Sequence, residues 1–193
     1  EDTQLIQTVK LSQSKSNILE NIRINIITMG CAHNQADSDV IASQFLQHGA
    51  TLTNYDDANL IYINSCTVKT PSQEKALFQA TKAAEKSDTI VVLGGCVPQS
   101  MKVDQRLESL LQRKKLFIVG VLDDALLQEL IKNINSREKI QFITKRPIHN
   151  PNMQIDHHFQ QIADVIPLCQ GCLGSCTYCK TVQSRGRLVS YKA

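Results

Sequence analysis

From Ile22 onward, short runs that are apolar almost throughout alternate with longer stretches whose apolar residues recur every three or four positions. The runs "IRINIITMG", "NLIYINS", "TIVVLGG" and "LFIVGV" do not alternate with polar residues, which predicts strands buried on both faces. The stretch "QADSDVIASQFLQH" predicts a helix that Gly49 closes as a C-cap. After "NLIYINS", Thr70 is placed to cap a second helix, with Pro71 at its first position and Gln73 completing a capping box. That helix carries Ala76, Leu77, Ala80, Ala83 and Ala84 on one face. A weaker helical pattern follows around Leu107 to Leu111. A last helix starts at Asp123 or Asp124 and carries Leu126, Leu127, Leu130, Ile131 and Ile134 at helical spacing. Apolar strands alternating with amphipathic helices predict an α/β fold, a flavodoxin- or Rossmann-like parallel sheet with helices on both faces, over residues 21–135. Residues 1–20 read as a flexible lead-in. Residues 136–164 turn polar, with Pro147, Pro151 and the pair His157 and His158, and read as a linker. A new element is expected near Val165, with "VIPL" as a strand.

Composition sets bounds on this picture. A chain of 193 residues with 42% hydrophobic content supports one core and part of a second domain. No stretch approaches the roughly 18 consecutive apolar residues of a membrane span, so no membrane contact is expected within it. The opening "EDTQLIQTVKLSQSKSN" is neither a signal peptide nor a transit peptide, and it lacks an initiator Met, as expected of a piece of a longer chain. Seven cysteines without a secretory signal point to a reducing compartment, by default the cytosol, where spaced thiols serve as ligands or catalytic groups. Charge is uneven. Residues 1–164 hold all 18 acidic residues against 17 basic ones, whereas 165–193 hold Lys180, Arg185, Arg187 and Lys192 and no acid. Such a segment suits an anionic partner such as RNA or a nucleotide, or is simply a solvated loop; Arg185 and Arg187 are the candidates for phosphate contact.

The strand pattern changes how the scattered cysteines look. Cys31 follows "INIITMG", Cys66 follows "LIYINS" and Cys96 follows "IVVLGG". Each stands where a parallel strand ends, and in a doubly wound sheet those ends share the edge where ligands bind. Helices starting just beyond them favour anionic thiolates. One such cysteine would read as a small core hydrophobe. Three at the same structural position raise the alternative of a shared metal or cluster.

Near the end, "CQGCLGSCTYCK" packs four cysteines into eleven residues. Structural zinc usually joins two C-x2-C knuckles about a dozen or more residues apart, and only three residues separate them here. The x2, x3, x2 order also differs from the bacterial ferredoxin run, with Lys180 where that run has proline. The subset Cys172-x3-Cys176-x2-Cys179 is a three-thiolate arrangement, which leaves one iron of a four-iron cluster open to a substrate.

That subset resembles the radical S-adenosylmethionine signature C-x3-C-x-aromatic-C, with Tyr178 in the aromatic place and Gly171 and Gly174 in the loop. Together, "TMGCAHNQADSD", "INSCTVKTPSQ", "VVLGGCVPQ" and "GCLGSCTYCKTVQSRG" resemble the methylthiotransferases of that superfamily from about Ile24 to Tyr191. The resemblance implies two [4Fe-4S] clusters. One is held by Cys31, Cys66 and Cys96; the other, which binds S-adenosylmethionine, is held by Cys172, Cys176 and Cys179 with Tyr178 near the adenine. Cys169 has no counterpart and is read as structural. Lys69 and Lys180, in "SCTVKTPSQ" and "CTYCKTVQSRG", favour the eukaryotic and archaeal enzymes that modify threonylcarbamoyladenosine.

The implied activity is tRNA methylthiolation at C2 of that base, beside the anticodon. Its chemistry is a 5′-deoxyadenosyl radical that removes the C2 hydrogen, with sulfur supplied by the auxiliary cluster and methylated by a second S-adenosylmethionine. The partners implied are the tRNA anticodon stem-loop and a reductase or flavodoxin-type electron donor. By the same resemblance residues 165–193 are the start of a truncated radical S-adenosylmethionine (β/α) barrel, and the chain alone is an N-terminal fragment not expected to turn over. Rival readings are methylthiolation of isopentenyladenosine or of a ribosomal-protein aspartate, and a non-catalytic iron–sulfur or zinc module that binds RNA. A flavodoxin-like electron carrier is disfavoured because no stretch looks like a flavin-phosphate loop.

Overall fold

The computed structural model describes residues 18–68, 70–100, 116–122, 124–136, 141–142 and 165–190. Each of the four apolar runs forms a strand: β1 (Arg23–Thr28), β3 (Leu60–Ser65), β4 (Ile90–Gly95) and β5 (Leu116–Val119). Two further strands were not apparent from the sequence pattern, β2 (Thr51–Leu52) and β6 (Gln141–Phe142), because two residues are too few to show periodicity. β6 comes from the polar stretch that follows the last sheet-packed helix. All six strands run parallel in the order β2-β1-β3-β4-β5-β6. The chain steps from β1 outward to β2 and then returns to β3 on the other side of β1. This makes the gap between the ends of β1 and β3 the topological switch point of a doubly wound sheet, where ligands bind.

The helices are α1 (Ala32–Gln47), α2 (Thr70–Glu85), α3 (Cys96–Ser100) and α4 (Asp124–Ser136). α1 begins three residues before the expected Gln35. It ends as its sequence predicts: Gly49, at φ +96°, donates to the Leu46 carbonyl and Ala50 donates to the Phe45 carbonyl, a Schellman closure. The expected helix around Leu107 to Leu111 and most of the expected linker lie outside the described residues.

Because side chains alternate across a strand, β3 feeds two cores at once. Ile61 and Ile63, with Val91, Leu93 and Ile118, pack under Ala76, Leu77, Ala80 and Ala83 of α2. Leu60 and Tyr62, with Val92 and Phe117, pack on the other side against Ile41 and Phe45 of α1 and Leu127, Leu130 and Ile131 of α4. These two layers explain why the strands read as unbroken apolar runs.

The C-terminal segment departs from expectation in one place. Residues 165–168, "VIPL", are not a strand; pairing begins at β7 (Cys169–Gln170), which runs antiparallel to β8 (Val189–Ser190). Between them lies a short helix, α5 (Lys180–Arg185). Pro167 removes an N–H, and the flanking Ile166 and Leu168 are exposed, so the apolar pattern there has no sheet face to bury. No helix among the described residues is long and apolar enough to cross a membrane.

Candidate metal centre at the sheet edge

Three strand ends deliver three cysteines to one edge. Cys66 and Cys96 directly follow β3 and β4, at 2% and 5% exposure, while Cys31 lies three residues past β1 and is exposed. All three line a single cavity of about 70 Å³. Its wall also includes His33 and Asn34 from α1 and Thr67 and Val68 from the loop after β3. Gly171, Thr181, Ser184 and Arg185 of the C-terminal segment close it. Cysteines about thirty positions apart in sequence therefore share one chamber.

Local geometry explains the convergence. Gly30, at φ +100°, lets the loop after β1 pass directly over Cys66, and a Cβ there would overlap the Cys66 side chain. The Cys31 thiol, at the N-cap of α1, donates to Asn34 Oδ1 at 3.3 Å. Asn34 is fully buried, and its Nδ2 donates to Asn64 Oδ1 (3.1 Å) and to the Ser65 carbonyl (2.8 Å). Asn64 Nδ2 returns hydrogen bonds to the Asn34 carbonyl (2.7 Å) and Ser38 Oγ (2.9 Å). Ser65 Oγ donates to the Gly94 carbonyl and accepts from the Val97 N–H in the first turn of α3. This interlocked polar plug fixes the loops carrying Cys31, Cys66 and Cys96 without leaving its buried donors unpaired.

Arg185 is where the sequence reading needs correction. It is neither a surface-loop residue nor free to meet phosphate: it is 5% exposed, and its Nη2 lies 2.5 Å from Asp37 Oδ2 and 3.4 Å from Asn34 Oδ1. Its charge also acts on the nearby Cys96 thiol. Burial alone would lower its pKa, but the negative charge of Asp37 outweighs burial and holds it protonated. Breaking such a buried pair strands the remaining charge, at a cost of about 3–5 kcal/mol. α5, carrying this arginine, is thereby pinned onto the sheet edge. Arg187 is exposed, as the sequence suggested.

The second cysteine group faces outward. Cys172 and Cys179 are half-buried and Cys176 is exposed, and none of them lines the cavity. The loop wraps around Gly174, where a Cβ would sit 3.7 Å from the Cys172 sulfur and 3.8 Å from that of Cys176. Cys179 is the N-cap of α5 and donates its backbone N–H to the Cys176 carbonyl. Tyr178, expected beside an adenine, is 84% exposed. Cys169 is half-buried in β7, and its carbonyl lies 3.3 Å from His33 Nε2, a contact that joins the two cysteine groups.

The thiols differ in chemistry. Burial pushes the Cys96 thiol up, with Arg185 opposing the shift, whereas backbone N–H groups of Val182 and Thr181 draw the Cys179 thiol below its ordinary value. In the metal-free chain, iodoacetamide is therefore expected to alkylate Cys179 well before Cys96. The ratio should grow as pH falls through the usual thiol range, because the raised group loses its thiolate first and the lowered group last. Peptide mapping after brief labelling at two pH values checks this, and equal rates would contradict it.

Among the described residues, no three His, Cys, Asp or Glu side chains are gathered closely enough to hold a single metal ion. The donor chemistry nonetheless suits a thiophilic group. Three soft thiols line one cavity beside a buried guanidinium, and no carboxylate is among the residues lining it, a set that favours zinc, copper(I) or iron–sulfur over hard cations. Asn34, Asp37 and Arg185 were not singled out as parts of this centre by the sequence. Their signal was there for the first two: Asn34, Asp37 and Ser38 lie in helical phase with the buried Ile41 and Phe45, so polar residues continue a core-facing stripe toward the N-terminus of α1.

Comparison with known proteins adds the family. Residues 23–136 match the sequence profile of the family described as "Uncharacterized protein family UPF0004". The chain is similar to the threonylcarbamoyladenosine tRNA methylthiotransferase of Mus musculus, at 32% identity over 88% of this chain and 29% of the relative. It is also similar to that of Drosophila pseudoobscura pseudoobscura, at 30% identity over 88% of this chain and 30% of the relative. The archaeal protein of Methanothermobacter thermautotrophicus, described as a probable threonylcarbamoyladenosine tRNA methylthiotransferase, is 32% identical over 90% of this chain and 40% of its own length. The chain thus spans well under half of the length of these relatives.

Proposed function

The chain belongs to the family described as "Uncharacterized protein family UPF0004", and from that membership we propose that it serves a tRNA methylthiotransferase, a transferase acting at C2 of N6-threonylcarbamoyladenosine beside the anticodon. In this reading residues 21–135 form the methylthiotransferase domain and 165–193 open a radical S-adenosylmethionine domain. Cys31, Cys66 and Cys96 hold an auxiliary [4Fe-4S] cluster, and Cys172, Cys176 and Cys179 hold the one that binds S-adenosylmethionine. When bound, these groups supply one-electron cleavage of the sulfonium and a source of sulfur. The observation that carries the reading is that three cysteines far apart in sequence line one cavity, closed by the segment bearing the second cysteine group.

The chain's own residues have separate tasks in this scheme. The buried thiols of Cys66 and Cys96 and the polar plug around Asn34 keep water from the inner side of the auxiliary site, where a reactive intermediate would otherwise be quenched. Exposed Tyr178 offers a face for an adenine to stack on. Exposed Arg187 is available to a tRNA or cofactor phosphate. A reductase or flavodoxin-type protein supplies electrons, and the work is done in the cytoplasm.

Mass spectrometry of tRNA nucleosides tests the proposal. Cells lacking the gene should lose the methylthio group on threonylcarbamoyladenosine and keep it on isopentenyladenosine. Loss from isopentenyladenosine instead would move the assignment to that substrate, and unchanged tRNA would end it.

A further inference from the structure

The buried ion pair is an unusual thing to find against a thiol cavity. Arg185 is on α5, immediately beyond the second cysteine group, and Asp37 is on α1, immediately beyond Cys31. Their side chains are 5% and 11% exposed and 2.5 Å apart, so neither charge is screened by bulk water. The same guanidinium reaches Asn34, which accepts from the Cys31 thiol, and it lines the cavity that all three cysteines share. A packing role alone would be met by an apolar residue of similar size, without the cost of burying two charges. The pair therefore invites a reading in which the charge itself matters.

We propose that Arg185 is a positioning residue whose fixed positive charge, metered by Asp37, sets the electrical environment of the three-cysteine centre while it locks the segment bearing the other cysteines over that centre. The inference rests on the reading of Cys31, Cys66 and Cys96 as ligands. A cluster's potential responds to nearby charge, to hydrogen bonds on its sulfurs and to solvent exposure. The guanidinium acts through the first of these, since a cation favours the form that has gained an electron. Asp37 opposes it and fixes how much of the charge is felt. The signs are therefore predictable. Removing the cation disfavours reduction, and removing the carboxylate favours it.

The test uses the full-length protein with Cys172, Cys176 and Cys179 replaced by alanine, reconstituted anaerobically with iron and sulfide so that only the three-cysteine centre can form. This parent should bind about four irons per chain. If it binds none, the reading of the centre fails and takes the inference with it, a result distinct from those that follow. Dithionite then titrates the one-electron reduction, followed by the electron paramagnetic resonance of the reduced form. In Arg185→Gln the reduction equilibrium should become about tenfold less favourable, a potential lower by about 59 mV for one electron. In Asp37→Asn it should shift upward. The double variant Arg185→Gln/Asp37→Asn, neutral on both sides, should lie between the single variants. Arg185→Lys, which keeps the charge, should stay nearer the parent than Arg185→Gln does. Shifts of the same sign in both single variants, no shift in either, or iron lost from every variant would each overturn the proposal, because those are the marks of a scaffold that merely holds the fold.

Discussion

Under the proposed function, Cys66→Ala is expected to abolish methylthio transfer in the full-length protein, a loss of more than about 100-fold, while reductive cleavage of S-adenosylmethionine remains measurable. Even residues that only support a metal ligand are worth about 10- to 100-fold, so removing a ligand should exceed that range. The split between the two readouts follows from the geometry. Cys66 lies at 2% exposure at the end of β3 and lines the inner cavity, whereas Cys172, Cys176 and Cys179 sit on an outward loop that does not line it. Iron content should fall by about half relative to a chain with two four-iron centres. Cys66→Ser, nearly the same in shape, separates loss of a ligand from loss of packing and should fail in the same way. Full product formation by either variant would remove Cys66 from the centre.

Gly95→Ala should be among the most destabilising single-methyl additions in the chain. Gly95 ends β4 at φ +84°, a backbone conformation that L side chains rarely adopt. A Cβ there would come within 2.5 Å of the Ser65 carbonyl, 2.7 Å of the Ser65 nitrogen and 2.6 Å of Asn64 Oδ1. The first two are backbone atoms of the neighbouring strand, so no rotamer change relieves the clash; the ends of β3 and β4 must separate. Backbone strain of about 1–3 kcal/mol and overpacking of about 1–3 kcal/mol together give about 2–6 kcal/mol. That is a large part of the roughly 5–15 kcal/mol that holds a domain folded. Urea unfolding should show a lowered midpoint at unchanged slope. Because Cys66 and Cys96 leave from these two strand ends, the variant should also bind less iron after reconstitution. A midpoint within error of the parent would show that the two strand ends can move apart freely.

Much of the scaffold was legible because it depends on periodicity. "NLIYINS" reads as a strand buried on both sides because Ile61 and Ile63 must satisfy one core and Leu60 and Tyr62 the other. Leu127, Leu130, Ile131 and Ile134 announce α4 in the same way. Where that signal is too short it fails, as at Thr51–Leu52 and Gln141–Phe142. It also misleads where apolar residues have nothing to cover, as at Ile166 and Leu168, which stay exposed in a segment that forms no strand. The cysteines of the candidate centre were legible for a related reason: their positions relative to the strands are local facts, and a parallel sheet turns equal positions into a common edge.

The sequence by itself thus determined the α/β class, the two-sided core and the placing of Cys31, Cys66 and Cys96 at the ends of three parallel strands, since all of these follow from the order of apolar and polar residues along the chain. Only the tertiary structure decided that Arg185 turns inward to Asp37 and Cys96, that Asn34 and Asn64 lock the strand-end loops together, and that the three thiols share a chamber closed by α5. Those contacts join residues 30 to about 150 positions apart. An exposed and a buried arginine look alike in a basic stretch of sequence, and the difference appears only when a distant carboxylate is brought within hydrogen-bond reach.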